Sequence, residues 1–271
     1  MQKNDRPIGV FDSGIGGLTV LKEIINELPR EGTIYLGDTA RVPYGIRSPE
    51  TVTRYSFENT RFLFSKQIKM LVVACNTVSS VSLDAIRKSI DIPVVGVIEP
   101  GAKAAVAATR NKKVGVIGTS ATIRSGAYTN AIKSLDPSVE VFGLPCPLFV
   151  PLVEEGWTEG PVVELTAERY LADMKAKGID TLVLGCTHYP LLKAVLSRVM
   201  GEGVMLIDSA IETAREMRSI LGGSSLIKSS SGAVVREFYV TDSPEKFLDV
   251  GERFLCRKIE FIKKIALGAE V

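Results

Sequence analysis

One histidine and one tryptophan are all that the 271 residues contain. A single imidazole cannot build a histidine-rich metal site. The four cysteines, Cys75, Cys146, Cys186 and Cys256, lie far apart with no CxxC pair. That spacing gives neither a disulfide framework nor a zinc knuckle, so free thiols are expected. Charge of one sign is missing as well. Lys+Arg number 33 against Asp+Glu 31, a net charge of +2. No basic block and no basic–aromatic patch stands out, so neither nucleic acid nor an anionic membrane is expected as a partner. No apolar run is long enough to span a bilayer. The opening MQKNDRPIGVFDSG lacks the apolar centre of a signal peptide. The expectation is a cytoplasmic, enzyme-like protein with no metal. Hydrophobic residues at 45% and charged residues at 24% fit an ordinary globular chain, with room for about two domains.

Strand and helix patterns alternate along the chain, which predicts mostly parallel sheets. Residues 7–11 read as a buried strand, followed by DSGIGG (12–17) and a helical pattern. Strand, Gly-rich turn and helix open a βαβ unit. The turn is neither GxGxxG nor a P-loop. Gly14, Gly16 and Gly17 are expected to supply glycine backbone angles for a tight turn. Asp12, at the strand end, is a helix cap or a site group. A second strand at 33–37 leads into GDTARVPYGIRS, where Asp38 is expected to serve a turn or cap. A helix over 49–66 follows, then a buried strand at 70–74 that ends on Cys75-Asn76-Thr77, a helix over 78–90 and a strand at 93–98. Glu99-Pro100-Gly101 reads as a domain boundary.

The pattern then restarts. VGVIG at 114–118 echoes IGVF at 8–11, and each is followed by a small-polar turn and a helix. A strand at 139–143 leads to an expected long loop through 161 carrying Glu154, Glu155 and Trp157. A helix over 161–178 precedes the strand 181–185, which ends on Cys186-Thr187-His188. After the strand 204–208 come a helix, a Gly/Ser-rich turn, an expected edge strand at 234–240 and a C-terminal helix, returning to the first half. The expectation is two similar open, mostly parallel-sheet α/β domains related by pseudo-twofold symmetry, with the active site in the cleft between them. Residues 1–98 plus 209–271 form the first and 99–208 the second.

A strand ending on a thiol places it at the carboxyl edge of its sheet, where open α/β proteins bind ligands. Cysteine also simply packs in cores, the role expected for Cys146 and Cys256. Two thiols offered from two related halves suit racemisation, which needs an acid/base group on each face of one carbon. Free thiols titrate near ~8.5 and need helpers. Asp12 and His188 are placed to help. In extended backbone, Cys186 and His188 would leave on one face.

FDSGIGGLTV, YLGDTARVPYG, VVACNTVS and VLGCTHYPLL resemble the aspartate/glutamate racemase family along essentially the whole chain. The resemblance implies interconversion of L- and D-glutamate without pyridoxal phosphate or metal, feeding peptidoglycan synthesis, and a homodimer. It implies Cys75 as the base for the D-enantiomer and Cys186 for the L-enantiomer. Asp12 stands beside Cys75, and Glu154 and His188 beside Cys186. It also implies substrate contacts from Asp12, Ser13, Tyr44, Gly45, Asn76, Thr77, Thr119, Thr122, Thr187 and His188. Activation by a cell-wall precursor, linked to an N-terminal extension in some members, is expected to be absent. Three alternatives remain open: an aspartate racemase of the same family, a non-catalytic amino-acid-binding protein, and a Cys–His hydrolase that would leave Cys75 without a role.

Overall fold

The computed structural model describes residues 3–230 and 232–268. The first part of the chain runs β1 (Ile8–Asp12), α1 (Leu18–Glu27), β2 (Thr33–Gly37), α2 (Pro49–Ser65), β3 (Met70–Val73), α3 (Asn76–Val81), α4 (Leu83–Arg87) and β4 (Val94–Gly96). It continues with α5 (Ile98–Ala108), β5 (Lys113–Gly118), α6 (Ser120–Arg124), α7 (Ala127–Leu135), β6 (Glu140–Pro145), α8 (Phe149–Glu154), α9 (Pro161–Ala176), β7 (Thr181–Gly185), α10 (Lys193–Met200) and β8 (Met205–Asp208). The last elements are α11 (Ser209–Gly223), β9 (Arg236–Val240), α12 (Pro244–Leu255) and β10 (Ile262–Lys264).

These strands form two sheets, ordered β10-β9-β2-β1-β3-β4 and β6-β5-β7-β8. Every pairing is parallel. The order β2-β1-β3-β4 recurs in the second sheet as β6-β5-β7-β8, strand for strand. Both central strands carry a glycine at the same step, and for the same reason. A methyl on Gly9 would meet Ile68 Cδ1 at 2.6 Å, and one on Gly115 would meet Ile179 Cδ1 at 2.6 Å. The bare backbone lets an aliphatic side chain press onto the sheet. In each sheet the connections out of β1 and β3, and out of β5 and β7, run to opposite sides, so the open crevice lies at the carboxyl ends of those strand pairs.

One apolar core runs through both halves, from Ile8 and Val10 to Val116, Leu184 and Met217. Helix α11 packs on α1 and on α5 and bridges the two sheets. A second cluster, including Phe11, Leu63, Leu71 and Val73, covers the other face of the first sheet. Beneath β3, Lys69 is fully buried, pairs with Glu31 at 2.5 Å and donates to the carbonyls of Asn4 and Leu226. A buried charge persists only with such partners.

Four local expectations are corrected. The helix over 78–90 breaks at Ser82 into α3 and α4, because Ser82 leaves helical geometry at φ −126°. Glu99-Pro100-Gly101 lies inside α5 and is no linker. Pro100 is tolerated in a first helical turn, and Gly101 leaves room for Ser209 and Tyr128, 3.2 and 3.3 Å from where its methyl would be. The loop expected through 161 contains α8, whose Phe149 and Val153 are buried one turn apart. Strand β9 is not an edge, since β10 pairs along its outer side. No described helix is long and apolar enough to cross a membrane.

Candidate active site

Both thiols sit one or two residues beyond topologically equivalent strands, β3 and β7, and both line one cleft. The cleft lies between the two sheets. Cys75 and Cys186 are 5% and 6% exposed, so neither is open to bulk solvent. Of the other expected residues, Ser13, Tyr44, Gly45, Asn76, Thr77, Thr119, Glu154, Thr187 and His188 also line it. Asp12 and Thr122 stand just behind the wall. Gly14, expected only as a turn residue, and Ile15, Val42, Pro43 and Val150, which sequence reasoning did not single out, complete the lining.

The surroundings of the two thiols differ. Cys75 Sγ donates to Ser13 Oγ at 3.6 Å. Burial first, and the nearby Asp12 carboxylate second, push the Cys75 thiol up to about 12. At neutral pH Cys75 therefore carries its proton. Asp12 Oδ2 accepts from Gly14 N at 2.9 Å, while the buried Oδ1 has no protein partner. Burial raises this carboxyl against the opposing influences of His188 and backbone N–H groups.

On the other side, Cys186 Sγ lies 3.8 Å from His188 Nδ1, and His188 Nε2 lies 3.1 Å from Glu154 Oε1. Glu155 points to solvent. Burial is the largest single influence on the His188 ring and opposes its charge. Cys186 and Glu154 together outweigh it and raise His188 from 6.5 to about 10. Glu154 is lowered, first by its hydrogen bond to His188. A protonated ring thus faces Cys186 at neutral pH. The extended-backbone route to this contact does not hold: His188 has helical angles, φ −80° and ψ −30°, and the turn brings ring and sulfur together. Helix α12 buttresses the pair from outside the second sheet. Phe254 meets the His188 ring edge-on at 5.3 Å, and Arg253 Nη2 donates to the Glu154 carbonyl at 2.9 Å.

Since the folded pKa of His188 lies above its unfolded value, its charge stabilises the fold fully below about 6.5 and ceases to as pH rises through about 10. The melting temperature of the protein is expected to fall across that window relative to a His188→Asn variant. Parallel melting curves in calorimetry from pH 7 to pH 10.5 would rule out the protonated ring.

Hydroxyls line the remaining wall. Thr77 Oγ1 is 3.0 Å from Thr119 Oγ1 and 3.4 Å from Thr122 Oγ1, and Thr119 and Thr122 are 2.9 Å apart. Thr187 reaches across the halves through its carbonyl, which accepts from Thr19 Oγ1 at 2.8 Å. Tyr44 offers its ring and backbone but not its hydroxyl, which donates to Asp38 and accepts from Asn59. Asp38 opens a turn, as expected, its carbonyl accepting from Arg41 N at 3.2 Å, and its side chain does more. It is fully buried and also accepts from Arg41 Nε at 2.7 Å and Thr241 Oγ1 at 2.9 Å, pinning the loop that carries Tyr44.

The glycines of DSGIGG are explained by space, not angle, because none of them has positive φ. A methyl on Gly16 would run into Thr187 and His188, and one on Gly17 into Asp12. Gly45 likewise lies against Thr119, 2.7 Å from where its methyl would be, closing the two halves on each other. Cys146 is buried, as a packing residue is, but Cys256 is exposed, in a left-handed conformation just past α12. Among the described residues, no lysine lines the cleft. Among the described residues no cluster of His, Cys, Asp and Glu could hold a metal ion.

Two α/β units of matching topology, with one cleft between them and a thiol on each wall, define a class of paired-thiol proteins. The chain belongs to the Asp/Glu/hydantoin racemase family, whose sequence profile matches residues 8–217. It is 57% identical over 265 residues to a glutamate racemase of Geobacter metallireducens, covering 98% of each chain. Its fold superposes on a crystal structure of glutamate racemase from Francisella tularensis in complex with D-glutamate with a TM-score of 0.93 at 40% identity, covering 98% of this chain and 100% of that one. A glutamate racemase isoform from Bacillus anthracis gives 0.95 at 40% identity over the same shares.

Proposed function

We propose that the protein is a cofactor-independent glutamate racemase working by two-base proton transfer. The observation that carries this reading is the placement of Cys75 and Cys186 at equivalent strand ends on one enclosed cleft. The full-length likeness to glutamate racemases supplies the substrate.

In the L-to-D direction, Cys186 as thiolate takes the α-proton, and the imidazolium of His188 opposite its sulfur balances the charge. Cys75, held as a thiol by burial and by Asp12, gives its proton to the opposite face. In the reverse direction the roles exchange. The α-carbon becomes carbanion-like between the two transfers, and its charge spreads onto the α-carboxylate. Preorganised donors facing that carboxylate lower the barrier. The Thr77 and Thr119 hydroxyls and the unpartnered Asn76 Nδ2 are available for this. The same reading treats 1–98 plus 209–271 and 99–208 as the two domains that close over glutamate. It takes the protein as a cytoplasmic homodimer that supplies D-glutamate for peptidoglycan synthesis. Those last features rest on the family resemblance.

Incubating L- and D-glutamate separately in D2O without added cofactor tests the reading. Each enantiomer is expected to give its mirror image with solvent deuterium at the α-carbon. No exchange would leave a binding protein only, and faster turnover of aspartate would move the substrate.

A further inference from the structure

Tyr128, on α7, belongs to no motif, yet it touches the neighbour of each thiol. Its buried ring packs under the end of β7. A methyl on Gly185, the residue before Cys186, would lie 3.1 Å from Tyr128 Cε2. Its hydroxyl crosses to the other half and donates to Oδ1 of Asn76, the residue after Cys75, at 2.7 Å. Asn76 lines the cleft and is 3% exposed, and its Nδ2 has no protein partner.

A carboxamide has one accepting end and one donating end. With its oxygen held by Tyr128, the Asn76 amide keeps its NH2 group without a protein partner. The flipped amide would set an oxygen against a bound carboxylate and take the acceptor away from the Tyr128 O–H, whose oxygen could then only accept from the amide. An unmade buried hydrogen bond is costly. We propose that Tyr128 is a positioning residue that locks the Asn76 amide with its donor end toward the cleft, as the receiver of a substrate carboxylate. This rests on the racemase reading for the identity of the substrate. Tyr128 also spans the two halves, so one side chain sets the amide and fits the spacing between the walls that carry the thiols.

The test is a double-mutant cycle of Tyr128→Phe and Asn76→Ala. Phenylalanine keeps the ring, hence the packing against Gly185, and removes only the hydroxyl. In Tyr128→Phe, KM for both enantiomers is expected to rise roughly tenfold, with kcat within about twofold and the melting temperature nearly unchanged. In the Asn76→Ala background the same substitution is expected to add nothing, because the hydroxyl acts only through the amide. An unchanged KM in Tyr128→Phe, or the same loss in both backgrounds, overturns the proposal. Calorimetric titration of D-glutamate into the same four proteins reads the cycle without turnover. A non-additive binding cycle in a wild type that does not racemise would support the role of Tyr128 while sinking the catalytic reading.

Discussion

Replacing either Cys75 or Cys186 with alanine is expected to lower kcat/KM roughly 10³-fold, the scale of a lost general acid or base, and equally for both enantiomers. The equality is compelled. Mirror-image substrates have the same free energy, so the equilibrium constant is one and kcat/KM must match in the two directions for every variant. The two substitutions are told apart by exchange without inversion, which no such constraint governs. The Cys75→Ala variant keeps Cys186 with His188 3.8 Å from its sulfur. It is expected to exchange the α-proton of L-glutamate with D2O and return it to the same face. The Cys186→Ala variant keeps only Cys75, whose proton is held up to about pH 12. Its exchange of D-glutamate is expected to be slower at neutral pH and to rise with pH. Racemisation at the wild-type rate in either variant would refute the two-base assignment. So would exchange of the wrong enantiomer.

The second large effect comes from a residue with no functional group. Gly16 lies against the auxiliary side of the cleft. Its missing methyl would sit 2.6 Å from both Cε1 and Nδ1 of His188 and closer still to the Thr187 hydroxyl. Neither neighbour is a loose chain end: His188 is tied to Glu154 at 3.1 Å and boxed in by Phe254. Gly16→Ala is therefore expected to tilt the ring away from Cys186 and cut kcat by about 100-fold, as loss of a general-catalytic partner does. Overpacking adds a stability loss of about 1–3 kcal/mol. Gly14→Ala is the matched control, since its methyl meets only the end of Val42, 2.9 Å away. A Gly16→Ala enzyme with wild-type kcat, or one no worse than Gly14→Ala, would show that the close approach has no functional weight.

The sequence made the repeat legible because its signals are long-range and redundant. A buried, largely apolar run ending on cysteine occurs twice, each time after a glycine-bearing strand, and both sheets share one strand order. Three parts were not legible. Helix α8 spans Phe149–Glu154, too short for a helical period to rise above Pro151 within it, yet it delivers Glu154 to His188. The DSGIGG glycines invited an argument from backbone angles, when the constraint came from His188, far along the chain. Asp38, through Thr241, and Tyr128, through Asn76, act by hydrogen bonds to residues brought near only by the finished fold. Cys256 failed for a related reason: its backbone closes α12 in a left-handed turn that leaves the side chain outside the core.

The matching strand order of the two sheets has a consequence for handedness. A chain of L-residues can repeat a unit by rotation but can never reflect it. The substrate pair it serves is related by reflection. The two walls therefore can superpose their thiols but not everything around them, and the supporting groups diverge: Asp12 and Ser13 on one side, His188 and Glu154 on the other. Evenness toward the two hands of the substrate is imposed by thermodynamics and not by the architecture. On the two-base reading, each hand turns its α-proton to a different wall, so the two mirror-image ligands would form chemically distinct complexes.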